Sequence, residues 1–334
     1  MPQSVLVTGA SGFIAKRIVF DLLAAGHSVR GSLRTPSRAD EVRAALSARG
    51  LGADHLARLS FVALDLNADA GWAEALHGVD ALIHTASPFP LAQPKDPQTL
   101  IRPAVDGTLR ALKAATAAGV GRVILTSSME ALMHGKSAGA ITEADWTDLT
   151  APTVSAYTQS KTLAERAAWD HAASHPGLHL TAINPGVVLG TPMDRHTASS
   201  IGVVGRFLRG KDPMVPDFSL PVTDIADVSA AHLAALEQPA SAGNRYIVAD
   251  RFMPVPELTR TLKAAYPERR IPTMIAPKPV VRLLSLFDPE IRLILPWIGW
   301  HAALDSAKVR ALLGRPLTPA RDSVLATAAF LAAA

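Results

Sequence analysis

Val5–Thr8 is a short β-like run that ends in Gly9-Ala10-Ser11-Gly12 and passes without a break into the helical pattern Phe13–Ala25. Few folds accommodate that succession. Gly9 and Gly12 let the backbone bend sharply and come close to a ligand, and Ala15 is small enough for the helix to pack on the strand. The new helix offers unpaired N–H groups and the positive end of its dipole, which suit a pyrophosphate. A purely structural glycine turn is the plainer alternative. Position decides against it, because the turn opens a series of strand–helix units.

The β-like runs of that series are Val5–Thr8, Ser28–Leu33, Leu59–Leu64, Ala81–His84, Val123–Thr126 and Leu180–Asn184. Each is nearly continuous in branched apolar residues, as strands covered on both faces are. Between them lie the helical patterns Phe13–Ala25, Ala39–Arg49, Trp72–His77, Pro97–Ala118 and Ser155–His175. The expected fold class is α/β, a Rossmann-type doubly wound parallel sheet. After Asn184 proline and glycine become frequent. Asp224–Glu237 still reads as a helix and Arg245–Val248 as a strand. We therefore expect a nucleotide-binding domain over residues 1–189, rejoined at about 222–250. Residues 190–221 and 251–334 are expected to form a smaller, mostly helical substrate-binding lid.

The second strand runs into Leu33-Arg34-Thr35-Pro36-Ser37-Arg38. An acid there would hold a ribose 2′-hydroxyl and favour NAD. None is present, and the guanidinium of Arg34 or Arg38 matches a 2′-phosphate instead. The expected cofactor is NADP(H). Asp65-Leu66 follows the third strand, where Asp65 either accepts from an adenine amino group or caps the next turn.

Tyr157 and Lys161 are four apart at the start of a helical pattern and so share a face. An ammonium beside a phenol favours the phenolate and lowers its pKa, which would fit Tyr157 as a general acid/base. Ser127 and Ser128 end the Val123–Thr126 strand. Ligands bind at the carboxyl ends of parallel strands, and a serine hydroxyl there polarises a substrate oxygen. The alternative for either serine is a bond to loop backbone.

Together these features resemble the extended short-chain dehydrogenase/reductase family, most of all its dihydroflavonol reductase-like and cinnamoyl-CoA reductase-like branch. Thr8-Gly9-Ala10-Ser11-Gly12-Phe13-Ile14-Ala15 is similar to that family's nucleotide turn, and Arg34 to its 2′-phosphate arginine. His84-Thr85-Ala86-Ser87-Pro88 resembles the segment that lines the cofactor. Asn184-Pro185-Gly186-Val187-Val188-Leu189-Gly190 resembles the one that packs on the nicotinamide. Val222–Val228 resembles a later signature. The resemblance implies Ser128, Tyr157 and Lys161 as the catalytic set, with Ser127, Pro185–Val188 and Ser200 among the cofactor contacts. It implies an NADP-dependent alcohol dehydrogenase/carbonyl reductase. Phe89, Met129, His134, Met193, Phe207 and Phe218 are expected to line an apolar substrate pocket, with plain core packing as the alternative for each.

Three rivals stand beside this reading. A nucleotide-sugar epimerase or dehydratase shares the Ser–Tyr–Lys set, but dehydratases of this kind carry Thr-Asp-Glu where this chain has Ser128-Met129-Glu130. A hydroxysteroid-type dehydrogenase has overlapping motifs. A cofactor-sensing regulator usually lacks the Tyr–Lys pair.

Composition narrows the rest. With no cysteine, thiolate metal sites, disulfides and Cys nucleophiles are excluded. No His/Asp/Glu cluster stands at ligand spacing, so no metal is expected. The net charge of +4 is scattered, with no basic block, so no nucleic acid is expected. No apolar run reaches the ~18 residues of a membrane span, and Val280–Trp300 is broken by Arg282, Asp288, Pro289, Glu290, Arg292 and Pro296. No basic leader precedes Val5. A cytoplasmic monomer or homodimer acting on a small carbonyl or alcohol is expected.

Overall fold

The computed structural model describes residues 1–88, 96–136, 139–196, 199–287 and 289–333. Its first strands are β1 (Ser4–Thr8), β2 (Ser28–Leu33), β3 (Leu59–Ala63), β4 (Ala81–His84) and β5 (Arg122–Thr126). After the two-residue β6 (Ala140–Ile141) come β7 (His179–Pro185), β8 (Val187–Leu189), β9 (Ser219–Asp224) and β10 (Asn244–Val248). The last strands are β11 (Arg251–Pro254) and β12 (Ala303–Leu304). Seven of these form one parallel sheet in the order β10-β7-β5-β4-β1-β2-β3. The chain winds outward through β2 and β3, then returns to place β4 on the other side of β1. That reversal opens a crevice at the carboxyl ends of β1 and β4, the usual ligand position in such sheets.

Helices α1 (Phe13–Ala24), α2 (Ala39–Ala48), α3 (Ala53–Leu56), α4 (Trp72–Leu76), α5 (Gln98–Ala117) and α6 (Ala156–Ala173) join the first strands. Ser155 caps α6, its hydroxyl accepting from the Thr158 N–H at 3.1 Å. α7 (Ser199–Leu208) and α8 (Ile225–Glu237) follow, the latter capped by Asp224. The C-terminal third carries α9 (Val255–Ala265), α10 (Lys278–Leu284), α11 (Pro289–Ile294), α12 (Ala307–Leu313) and α13 (Ala320–Ala332). No helix among the described residues is long and apolar enough to cross a membrane.

All the strands expected of the parallel sheet are present, within a residue at each end. A second, three-stranded sheet, β11-β9-β8, was not expected. Its central strand contains Pro221, which cannot donate to a ladder and so hides the strand from pattern reading. β8 has three residues and is separated from β7 by Gly186 alone. A Cβ on Gly186 would stand 2.1 Å from the Pro221 carbonyl oxygen, so only glycine lets β8 lie against β9. Gly186→Val is expected to cost about 3 kcal/mol or more through this backbone overlap. Its denaturant midpoint checks this, and an unchanged midpoint would show that the close approach is dispensable.

The segments expected to form a lid share the sheet's apolar cluster. Val5, Val7 and Ile18 lie in it together with Phe207, Leu258, Val309, Val324 and Ala328. A separate cluster joins Met129, Leu132 and Phe252 to Trp297 and Trp300, so these tryptophans anchor the late chain to the core.

Candidate active site

The crevice is built from the loops after β1 and β4. The Thr8 hydroxyl sits 2.9 Å from His84 Nδ1 and accepts from the N–H groups of Thr85 and Ala86, each at 3.0 Å. The Thr85 hydroxyl in turn donates to the Thr8 carbonyl. Gly9 takes φ +67°, and a Cβ there would press on Ala86 at 3.1 Å. The two loops are thus locked edge to edge. Gly12 begins α1, which no side chain caps. This bare helix end and the glycine backbone fit a dinucleotide pyrophosphate.

The arginines differ. Arg34 is exposed. Arg38 donates to the Ser11 hydroxyl at 3.1 Å and grips both oxygens of Glu41 at 2.8 and 2.9 Å. Those bonds hold the Glu41 carboxyl down to about 2. Glu41 also takes Lys16, whose buried ammonium bonds Asp194. Glu41, Asp194 and His196 thus bring ligand-type atoms within 4.8 Å of one another, a grouping that sequence spacing did not show. The chain's own ammonium bridges the two carboxylates.

Ser128, Tyr157 and Lys161 meet at the carboxyl edge of β5. The Ser128 hydroxyl accepts the Glu130 N–H at 3.2 Å and is hydrogen-bonded to the Tyr157 phenol. Lys161 Nζ lies 5.8 Å from the centre of the Tyr157 ring. The phenol is not pulled down as the spacing suggested. Burial pushes its pKa well up, the Glu130 charge adds to that, and only the Ser128 bond works against them. Lys161 is itself lowered to about 8 by burial, partly offset by Glu165. His84, buried beside Lys161, is lowered to about 3 and stays neutral.

Ser127 turns away from this set. Its hydroxyl donates to Glu165, a fully buried carboxylate that also accepts from Asn184 Nδ2 at 2.7 Å, Arg245 Nε at 2.6 Å and Trp169 Nε1 at 3.2 Å. Glu165 therefore ties α6 to the ends of β5, β7 and β10. Its signal in the sequence is the next i, i+4 step after Lys161, which the reading of the chain passed over. Glu130 was noted only against dehydratases.

The remaining expected cofactor residues spread around the crevice. Phe13 and Ile14 pack on the core beneath the glycine turn. Asp65 accepts from the Asn67 N–H at 2.8 Å, the turn-capping alternative, and Leu66 packs on α5 at Gly107. Ala86 and Ser87 line a small cavity with His84, Thr126, Lys161 and Glu165. Pro185 and Val188 are buried, Gly186 donates to the Thr223 hydroxyl, and Ser200 donates to the Val188 carbonyl at 2.7 Å.

The expected substrate residues fall into two groups, Met193 with Phe207, and Met129 with His134 and Phe218 around Trp297. Met193 and Phe207 are buried in the main apolar cluster, and Met129 in the tryptophan cluster. The His134 ring is buried against Trp297 at 5.0 Å, and Phe218 is half-buried 6.5 Å from the same ring. Phe89 lies outside the described residues.

Residues 5–249 match the model of the NAD dependent epimerase/dehydratase family. The chain belongs to this family. Within it the chain is an extended short-chain dehydrogenase/reductase. It is 33% identical to cinnamoyl-CoA reductase 1 of Arabidopsis thaliana, over 81% of this chain and 77% of that one. Anthocyanidin reductase of Vitis vinifera is 30% identical over 81% and 83%. Among solved structures, yeast methylglyoxal/isovaleraldehyde reductase Gre2, complexed with NADPH, superposes with a TM-score of 0.80 and 26% identity, covering 98% of each chain. Vestitone reductase from alfalfa gives a TM-score of 0.78 at 25% identity, over 99% and 98%.

Proposed function

We propose that this protein is an NADP(H)-dependent carbonyl reductase that converts a small ketone or aldehyde to the alcohol, with Ser128, Tyr157 and Lys161 as its catalytic residues. The observation that carries the reading is the Ser128–Tyr157 hydrogen bond with Lys161 against the same ring, at the carboxyl edge of the sheet. The reductases among its relatives, and NADPH in the Gre2 structure, support it.

The reduced nicotinamide supplies hydride when bound. The protein's part is position and protons. Ser128 orients the carbonyl by donating to its oxygen, and Tyr157 delivers a proton to that oxygen. A phenol that burial keeps protonated is the form an acid needs. Lys161 lies against the ring and would offer donors to a ribose. The backbone around Pro185–Val188 holds the carboxamide.

Arg34 and Arg38 select the 2′-phosphate. A hydrogen bond to a charged group contributes about 1.5–3 kcal/mol, so the double change Arg34→Ala/Arg38→Ala is expected to raise the KM for NADPH roughly 10- to 100-fold or more and to leave that for NADH nearly unchanged. Steady-state kinetics with each cofactor measure this. Equal loss with both would remove the phosphate assignment.

The reading as a whole is tested by mixing the protein with NADPH and a panel of aromatic and aliphatic aldehydes and ketones while following cofactor absorbance. Turnover that NADH supports poorly is expected. NADPH binding without turnover anywhere on the panel would favour an epimerase or a cofactor sensor instead.

A further inference from the structure

The chain places a carboxylate inside the catalytic corner that the proposed reaction does not use. Glu130 stands in the short 3-10 turn Met129–Ala131 that follows Ser128. Its N–H is held by the Ser128 hydroxyl. One carboxylate oxygen, Oε2, accepts from the hydroxyl of Thr158, the residue after Tyr157, at 2.5 Å. The same oxygen lies 3.0 Å from His134 Nε2. The Glu130 carbonyl accepts from the Thr147 hydroxyl at 2.6 Å. Backbone and side chain are both fixed, so the charge is held in one place, bonded to the residue that follows Tyr157 and next to the Ser128 hydroxyl.

The anchors are themselves secured. The His134 side chain is fully buried, its Nδ1 lies 2.8 Å from the Thr153 hydroxyl, and its ring packs edge-on against Trp297. The tautomer protonated at Nε2 satisfies both nitrogens, donating to Glu130 and accepting from Thr153. Thr158 is bonded in turn to Ser155, the cap of α6. The Glu130 side chain keeps about a quarter of its surface exposed, at 23%, so the carboxylate borders the site rather than filling its wall.

We propose that Glu130 is a positioning residue whose clamped negative charge keeps Tyr157 in its protonated, proton-donating form and so extends to higher pH the range in which the site reduces a carbonyl. The proposal rests on the reading of Tyr157 as proton donor. No atom of Glu130 needs to exchange a proton with the substrate. Its charge makes the phenolate harder to form, by Coulomb repulsion across a poorly solvated corner. Burial of the phenol acts in the same direction, with Glu130 second to it.

The other charged groups around Tyr157 do not duplicate this effect. Lys161, on the same helix, has its ammonium 5.8 Å from the ring centre, and burial lowers its own pKa to about 8. Glu165 and the neutral His84 of β4 face Lys161, not the phenol. From α5, Arg102 and Asp106 are exposed, and Arg110 is turned to Asp69 and the Leu66 carbonyl. His134 touches Glu130 directly, its Nε2 3.0 Å from the carboxylate.

Phenolate absorbance reads this directly, because the chain has only three tyrosines, and subtracting the curve of Tyr157→Phe isolates Tyr157. The titration is run on the wild type, Glu130→Gln and Glu130→Asp, each with and without saturating NADP+. Glu130→Gln keeps the shape and the hydrogen bonds and removes only the charge. It is expected to raise the ionisation constant of Tyr157 roughly tenfold or more. Glu130→Asp, which keeps the charge, is expected to stay near the wild type. A Glu130→Gln curve superposed on the wild type overturns the proposal. So does an equal shift in both variants, since the geometry of the turn rather than its charge would then be responsible. Neither outcome depends on turnover. Failure of the reading of Tyr157 as proton donor would instead show as turnover that survives Tyr157→Phe.

Discussion

Tyr157→Phe is expected to lower kcat for carbonyl reduction roughly 10²- to 10⁴-fold, the range over which a positioned general acid acts. The change removes one oxygen. The ring still packs under Lys161, and the glycine turn, the arginines and the β7–β8 backbone are untouched, so affinity for NADPH should change by no more than about threefold. The split between the two quantities is informative. A proton donor acts in the transition state, and its loss appears in kcat and kcat/KM together. Initial rates and a direct binding titration with NADPH check the result. A variant that keeps more than a tenth of wild-type turnover would dismiss Tyr157 as the donor. One that no longer binds cofactor would show that the phenol holds the site's shape instead.

Arg245→Met should give a large loss of stability. Arg245 and Glu165 are both buried and meet at 2.6 Å, with the guanidinium stacked 3.9 Å over the Trp146 ring. Removing one partner of such a pair leaves the other charged in an apolar setting, which costs about 3–5 kcal/mol. Ser127, Asn184 and Trp169 would still donate to Glu165, which places the expected loss at the lower end. The denaturant midpoint measures it, and the Trp146 stack makes indole fluorescence a sensitive probe. The paired change Arg245→Met/Glu165→Met should recover part of the loss, because no uncompensated charge remains. If the single variant loses less than about 1 kcal/mol, the pair is screened better than its burial suggests.

Reading the residues in order went furthest where chemistry is local. Most strands of the parallel sheet carry a run of apolar residues, as in Val5–Val7, Ala81–Ile83 and Val123–Leu125, and burial on both faces leaves that trace whatever the rest of the chain does. The glycine turn and the Tyr157–Lys161 step are likewise written in adjacent residues. What escaped was set by distance along the chain. Lys16 meets Asp194 across 178 positions, and Arg245 meets Glu165 across 80. No spacing rule relates such pairs. β9 was hidden by Pro221, and the pocket residues by the ambiguity of apolar side chains. Met129, Met193 and Phe207 have the composition of a pocket and the burial of a core. The phenol was misjudged for a related reason. The neighbouring ammonium is visible four residues away, whereas burial and the charge of Glu130 arise only on folding.

The last helix bears on how the chain can be made. Val324 and Ala328 of α13 lie in the same apolar cluster as Val5 and Val7 of the first strand, and the Thr327 hydroxyl donates to the Gly190 carbonyl and accepts its N–H. The first strand of this fold therefore cannot close its core until α13 has left the ribosome. At ordinary synthesis rates, about 5–20 residues per second, the sheet waits many seconds with one flank uncovered. Until α13 emerges, the nascent chain presents the apolar surface that chaperones bind.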